Sequence, residues 1–185
     1  MFKILLLAFL VFSACAGGGK SLQNDLPLGK AGDLYQFSFK KSDDAELKMA
    51  ELKGKPVLVI NIATRCGYTK QLDQLEKLYQ QYKARGLVVV GVPSNDFLSQ
   101  TPEADKAVVE FCRLKYGVTF LVVNKVKVLE DADPFFRYLR ELRHKEVSWN
   151  FEKFLFDKEG RLVNSFSSST GPFDPVLLQN IDRYL

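Results

Sequence analysis

The stretch Pro56-Val57-Leu58-Val59-Ile60-Asn61-Ile62-Ala63-Thr64-Arg65-Cys66-Gly67-Tyr68-Thr69 decides the fold. Val57 to Ala63 is an apolar run broken only by Asn61, the pattern of a strand buried on both faces, and Pro56 opens it at its edge. From Gly67 to Ala84, Leu72, Leu75, Leu78, Tyr79 and Tyr82 recur at helical spacing, and Arg85-Gly86 ends that helix with a glycine just past it. Cys66 stands where the strand passes into the helix. Unsatisfied amides at a helix N-terminus favour an anion, and Arg65 adds a positive charge, so the position favours the thiolate, which is the attacking form of cysteine. The carboxyl ends of strands in an open α/β sheet are also where ligands bind. A buried, inert cysteine is the other reading of the same position.

On both sides the pattern repeats. Leu34 to Phe39 alternates and predicts a strand, and Leu87 to Val92 predicts a second buried strand. Thr101-Pro102-Glu103 has a capping hydroxyl, proline at the first helical position and acid in the first turn, predicting a helix to about Tyr116 that stops at Gly117. Val118 to Val128 predicts another strand, and Asp133-Pro134 starts a helix through Arg143. Phe151 to Phe156, the turn Asp157-Lys158-Glu159-Gly160, and Arg161 to Phe166 predict a hairpin. Pro172 to Leu185 closes the chain as a helix, with Val176, Leu177, Ile181 and Leu185 on one face. Parallel strands need crossover helices, and the hairpin supplies an antiparallel edge. The expectation is an α/β fold, a central mixed β-sheet flanked by helices, which resembles the thioredoxin fold.

The chain has 185 residues, 46% hydrophobic and 26% charged, enough for one domain with a proper core. Its net charge of +4 is spread along the sequence without a Lys/Arg stripe, so no nucleic-acid partner is expected. His144 is the only histidine, which argues against His-based metal sites and against Ser-His-Asp or Cys-His catalysis. No metal and no cofactor is expected, and His144 reads as a surface residue.

The N-terminus has its own pattern. Lys3, the apolar run Ile4 to Phe12 and the small residues Ser13-Ala14-Cys15-Ala16 describe an export signal over residues 1–16. The run is too short to span a bilayer, which takes about 20 apolar residues. Ser13-Ala14-Cys15 resembles a bacterial lipoprotein processing site, with Cys15 as the lipidated residue; ordinary cleavage after Ala16 would instead discard Cys15. Ala16 stands after the cysteine in place of an aspartate, which in that resemblance implies the outer membrane. The expected division is a signal at 1–16, a flexible tether at 17–30 and a domain at 31–185. The expected place is the periplasmic side of the cell envelope.

Four ordered blocks carry a family resemblance from about Leu34 to the C-terminus. Asn61-Ile62-Ala63-Thr64-Arg65-Cys66-Gly67-Tyr68-Thr69 resembles the peroxidatic-cysteine motif of the glutathione peroxidases. Gly86 to Phe97 resembles that family's second strand and loop, and Gln100 falls where the family places its catalytic glutamine. Phe111-Cys112 followed by Tyr116-Gly117-Val118-Thr119-Phe120 is similar to a third block. Trp149-Asn150-Phe151-Glu152-Lys153-Phe154-Leu155 resembles the family's Trp-Asn block. The resemblance implies that Cys66 attacks a peroxide while Gln100, Trp149 and Asn150 supply a polar shell. Amide and indole N–H groups are donors suited to developing negative charge. It also implies that Cys112 is the resolving cysteine of the two-cysteine type, recycled by a thioredoxin-like dithiol or by glutathione, in a monomer that takes hydrogen peroxide or organic and lipid hydroperoxides. A buried thiol filling the apolar face of its helix is the other reading of Cys112.

The chain departs from the family in the loop around Gln100. Where the family reads Gly-Gly-Gln-Glu-Pro-Gly, this chain has Leu98-Ser99-Gln100-Thr101-Pro102-Glu103. Three other readings stand beside the peroxidase. A disulfide reductase normally uses Cys-x-x-Cys, and Thr69 holds the second position here. A copper-binding assembly protein would want paired cysteines with a histidine. A lipoprotein that keeps the fold and has lost the activity is the third.

Overall fold

Strand β3 (Val57–Ile62) is buried at every residue and runs through the middle of the molecule. The computed structural model describes residues 29–185. The export-signal and lipidation readings at residues 1–16, Cys15 included, lie outside the described residues, as does most of the segment read as a tether. Gly29 and Lys30, the last of that segment, are part of the packed domain. Gly29 is buried with its N–H 3.4 Å from the Leu162 carbonyl, and the Lys30 N–H donates to Asp33 at 2.6 Å.

Strand β3 pairs in parallel with β4 (Val88–Pro93) and antiparallel with β6 (Lys153–Phe156). The five-stranded order is β5-β4-β3-β6-β7, with β5 (Leu121–Val122) parallel to β4 and β7 (Leu162–Phe166) antiparallel to β6. The mixed sheet follows from the connections. Helix α1 (Gln71–Tyr82) carries the chain across between the parallel pair β3 and β4, whereas the tight turn at Asp157–Gly160 makes β6 and β7 a hairpin. The Asp157 carboxylate accepts the Glu159 and Arg161 N–H groups across that turn, and Gly160 takes a φ of 76°.

Alternation along β3 divides the core. Leu58, Ile60 and Ile62 face one cluster with Leu72, Leu75 and Leu78 of α1, Val108 and Cys112 of α2 (Asp105–Tyr116), and Leu177 and Ile181 of α4 (Pro175–Tyr184). Val57 and Val59 face the other, with Phe135, Phe136 and Leu139 of α3 (Pro134–Arg143). Each fully buried leucine or phenylalanine contributes about 1.5–3 kcal/mol relative to exposure. Helix α3 begins as the sequence predicts, with Asp133 capping and Pro134 at the first helical position, whereas α4 begins at Pro175, capped by Asp174, three residues after the predicted start at Pro172.

Three expectations are corrected. Residues 33–36 form a 3-10 turn rather than part of a strand, and only Ser38–Lys40 (β1) pairs, with the three-residue β2 (Glu46–Lys48). The cause is long-range: the Leu34 N–H bonds the Gly160 carbonyl, and Asp33 accepts both Lys30 N–H and the Tyr138 hydroxyl. The predicted strand 118–128 shrinks to β5. Its later amides go elsewhere, Asn124 N–H to Lys40 O, Val126 N–H to Pro93 O, and Val128 and Leu129 N–H to the Asp96 carboxylate. The third correction concerns α2, which starts at Asp105 rather than at Thr101. Thr101 caps nothing: its N–H is held by the Asn95 side chain at 2.8 Å, and its hydroxyl is buried without a partner. Lys125 binds the Thr101 and Glu103 carbonyls and keeps residues 101–104 out of the helix.

Candidate active site

Between β3 and α1 the chain makes consecutive turns. Thr69 N–H bonds Cys66 O at 3.0 Å, Gln71 N–H bonds Tyr68 O at 2.8 Å, and Leu72 N–H bonds Thr69 O at 3.0 Å. The regular helix therefore begins five residues after the cysteine rather than beside it, at Gln71. The donors that serve the thiol are those of the turn. Tyr68 N–H points at Cys66 Sγ from 3.5 Å, and Cys66 N–H donates to Thr69 Oγ1 at 2.9 Å while that hydroxyl donates to Ala63 O at 3.0 Å. Cys66 is 8% exposed and packs at the edge of the apolar cluster under α1.

Gln100 is tied to this turn through its backbone. Its carbonyl accepts Arg65 N–H at 2.9 Å and lies 3.1 Å from the Thr64 hydroxyl oxygen, whose single proton goes to the Glu103 carboxylate at 2.6 Å. Its side-chain Oε1 accepts Asn150 Nδ2 at 3.0 Å. The Cys66 turn, Gln100 and Asn150 thus form one connected unit. Asn150 is fully buried, and its Oδ1 has no hydrogen-bond partner among the described residues. A buried unsatisfied oxygen is costly in a core and tolerable where a substrate group can meet it. Trp149 precedes Asn150, and its ring lies 5.6 Å from that of Phe97. Among the described residues its indole N–H donates to no protein acceptor, which leaves the donor free.

The turn that carries Trp149 and Asn150 is held from three sides. Asn61, the polar break in β3, donates to Trp149 O at 3.1 Å and accepts Phe151 N–H at 2.6 Å through its own carbonyl. Glu152 accepts Ser148 N–H at 2.7 Å and forms a buried ion pair with Arg143 at 3.2 Å. Lys153 donates to Phe151 O at 2.9 Å. None of Asn61, Glu152 or Lys153 stands out in the sequence as a site residue. Asn61 did carry a signal, as the single amide in an otherwise apolar strand.

The loop ahead of Gln100 keeps a glycine-type backbone without glycine. Leu98 and Ser99 both have φ of 52°, at the positions where the family pattern has two glycines. Arg65 is less of a thiolate partner than expected. Its guanidinium is 64% exposed and turned to Glu103 at 2.9 Å, so much of its charge is already matched. Burial works against the charged form of Glu103, but hydrogen bonds from Thr64 and Arg65 outweigh it and hold the carboxyl below its usual range.

Cys112 sits on α2 with no exposed surface, in the same apolar cluster as Cys66. Both thiols are free. Burial pushes the Cys112 thiol up to about 12. His144 is exposed, as expected from the sequence, and ends α3 in a left-handed conformation.

The fold and the thiol-bearing turn define a thioredoxin-fold thiol enzyme. Residues 34–140 match the glutathione peroxidase family, and the chain belongs to that family. It is 42% identical over 145 residues to the glutathione peroxidase-like peroxiredoxin 2 of Saccharomyces cerevisiae, covering 75% of this chain and 90% of that one. The apo crystal structure of Trgpx superposes with a TM-score of 0.64 at 32% identity, over 83% of this chain and 97% of that one. A thiol:disulfide interchange protein of the thioredoxin family from Chlorobium tepidum superposes with a TM-score of 0.60 over 80% of this chain and 92% of that one. At 19% identity that match shows the shared fold alone.

Proposed function

We propose that this peroxidase of the glutathione peroxidase family works through Cys66 as the peroxide-reactive thiol and Cys112 as the resolving thiol. The observation that carries this reading is the linkage of the Cys66 turn to Gln100, and of Gln100 to Asn150, beside an unengaged Trp149 indole. In the first step the Cys66 thiolate attacks the terminal oxygen of a hydroperoxide. The O–O bond breaks, the sulfur becomes a sulfenic acid, and the leaving alkoxide or hydroxide takes a proton. Donors from Gln100 and Trp149 steady the charge that moves onto the leaving oxygen, and Asn150 orients Gln100.

In the second step Cys112 condenses with the sulfenic acid, forming a disulfide and releasing water. A thiol at about 12 is almost wholly protonated at neutral pH and has no solvent access in the folded helix. Resolution in this reading involves local opening of α2, because the folded helix leaves Cys112 with no exposed surface and its thiol protonated. An external thiol reductant, a thioredoxin-like dithiol in this reading, then restores both cysteines. Hydrogen peroxide and organic or lipid hydroperoxides are the substrates in this reading, and the chain acts as a monomer.

Export belongs to the same proposal. The N-terminal pattern supports a lipoprotein anchored through Cys15 on the periplasmic side of the outer membrane, with the catalytic domain on a short tether. Metabolic labelling with a radioactive fatty acid, compared with a Cys15→Ala variant, tests the anchor.

Peroxide consumption by the parent, Cys66→Ser and Cys112→Ser proteins, with thioredoxin or glutathione as reductant, tests the chemistry. Cys66→Ser should abolish turnover, and Cys112→Ser should abolish the thioredoxin-driven part. Turnover untouched by Cys66→Ser would end the reading.

A further inference from the structure

Lys153 is a lysine with no exposed surface, on β6 next to the central strand. Placing an ammonium there is costly unless every proton finds an acceptor. All three do. Its Nζ donates to Gln71 Oε1 at 2.7 Å, to Phe151 O at 2.9 Å and to Thr170 O at 2.6 Å.

The three acceptors come from three separate segments. Gln71 opens α1, at the end of the run of turns that begins at Cys66, and its own Nε2 is fixed by Ser168 O at 2.7 Å. Phe151 closes the Trp149–Asn150 turn. Thr170 belongs to the loop that leads into α4. Phe151 also has a φ of 69°, a conformation a bulky side chain keeps only where its surroundings over-determine it. Asn61 holds the N–H of Phe151 and Lys153 holds its carbonyl, so both sides of that residue are pinned.

We propose that Lys153 is a positioning residue of this site, its ammonium locking the Cys66 turn and the Trp149–Asn150 turn into a single rigid frame. The assignment rests on Cys66 being the peroxide-reactive thiol. The carboxylates that act on the ammonium are Glu152, already paired with Arg143, and Asp174, which caps α4; the first turn of α1 meets it with the neutral Gln71. Burial pushes Lys153 down to about 7 against the pull of both carboxylates. A neutral amine has two hydrogens for three acceptors, so proton loss releases one of the three segments.

Trp149 is the only tryptophan of the chain, and its emission reports on the turn. In a Cys66→Ser background, where that thiol cannot titrate, Trp149 emission should inflect near the pH at which Lys153 loses its proton, about 7. The inflection should vanish in Cys66→Ser/Lys153→Met. With Cys66 restored, Lys153→Met should lose about tenfold or more in the second-order rate of peroxide with Cys66, the scale of a displaced catalytic group. A folded Lys153→Met protein that keeps both the inflection and the parental peroxide rate overturns the proposal. Should Lys153→Met fail to fold, Gln71→Met carries the test, because it removes one acceptor and leaves the ammonium. Altered Trp149 emission with a slower peroxide reaction supports the proposal, and parental values of both overturn it. A parent protein inert to peroxide would end the catalytic reading, while the peroxide-free Trp149 titration still decides whether Lys153 holds the turn.

Discussion

Removing the Glu103 carboxylate should free Cys112. Glu103 stands just ahead of α2 and straps that segment to the Cys66 turn, accepting the Thr64 hydroxyl at 2.6 Å and Arg65 Nε at 2.9 Å. The Thr64 bond is to a charged acceptor from a buried hydroxyl, worth roughly 1.5–3 kcal/mol. The Arg65 pair is 64% exposed on the arginine side and adds little, below about 1 kcal/mol. Opening that carries residues 101–104 away together with α2 breaks both, so Glu103→Ala lowers the cost of that opening by about 2 kcal/mol, or roughly thirtyfold in the opening equilibrium. The assay is alkylation of Cys112 by iodoacetamide in a Cys66→Ser background, followed by peptide mass spectrometry. The expected outcome is labelling faster by about tenfold to thirtyfold, with the helix intact by circular dichroism. Labelling at the parental rate, together with a global stability loss of about 2 kcal/mol, would show that the strap serves the fold and does not gate Cys112.

Three other perturbations give expected outcomes of known sign. Leu98→Gly and Ser99→Gly each relieve a left-handed backbone at φ 52° and should stabilise the protein by about 1 kcal/mol, read as a rise in thermal midpoint of about 2–4 °C. Asn61→Leu removes the side-chain donor to Trp149 O and should slow the reaction of Cys66 with peroxide in stopped-flow measurements, with a stability loss of about 1–3 kcal/mol by urea unfolding. Lys153 sets a pH dependence. Its folded value of about 7 lies below the unfolded lysine value of about 10.4, so the unfolded chain binds more protons between the two. Stability of the parent relative to Lys153→Met should therefore rise by a few kcal/mol as pH climbs from about 7 to 10, measured by urea unfolding at each pH.

The elements set by local periodicity were legible in the sequence. The run Val57–Ile62, the leucines of α1, the hairpin and the proline-led helix α3 lie where spacing and caps place them, and α4 keeps its predicted apolar positions but starts at Pro175 rather than Pro172. What failed depends on partners far along the chain. The bonds from Leu34 N–H to Gly160 O and from Val128 N–H to the Asp96 carboxylate turn two apparent strands into irregular backbone. Lys125 does the same to the apparent helix start at Thr101. Gln100 and Asn150, which block resemblance singles out, are hydrogen-bonded to each other in the structure. Lys153 and Glu103 were not found, for a shared reason. A lysine in a strand and an acid in a first helical turn are ordinary surface signals until the fold buries one and turns the other onto Thr64. The expected pairing of Arg65 with the thiol was altered by that same Glu103.

The central claim is that Cys66 takes the oxygen of a peroxide and hands its oxidation to Cys112. Treatment of the reduced parent protein with one equivalent of hydrogen peroxide, followed by alkylation and peptide mass spectrometry, tests both halves at once. The account predicts a Cys66–Cys112 disulfide in the parent and, in Cys112→Ser, a sulfenic acid at Cys66 that dimedone traps. Unmodified Cys66 in both proteins, or a parent with stable sulfenic acid at Cys66 and a free Cys112, would contradict it.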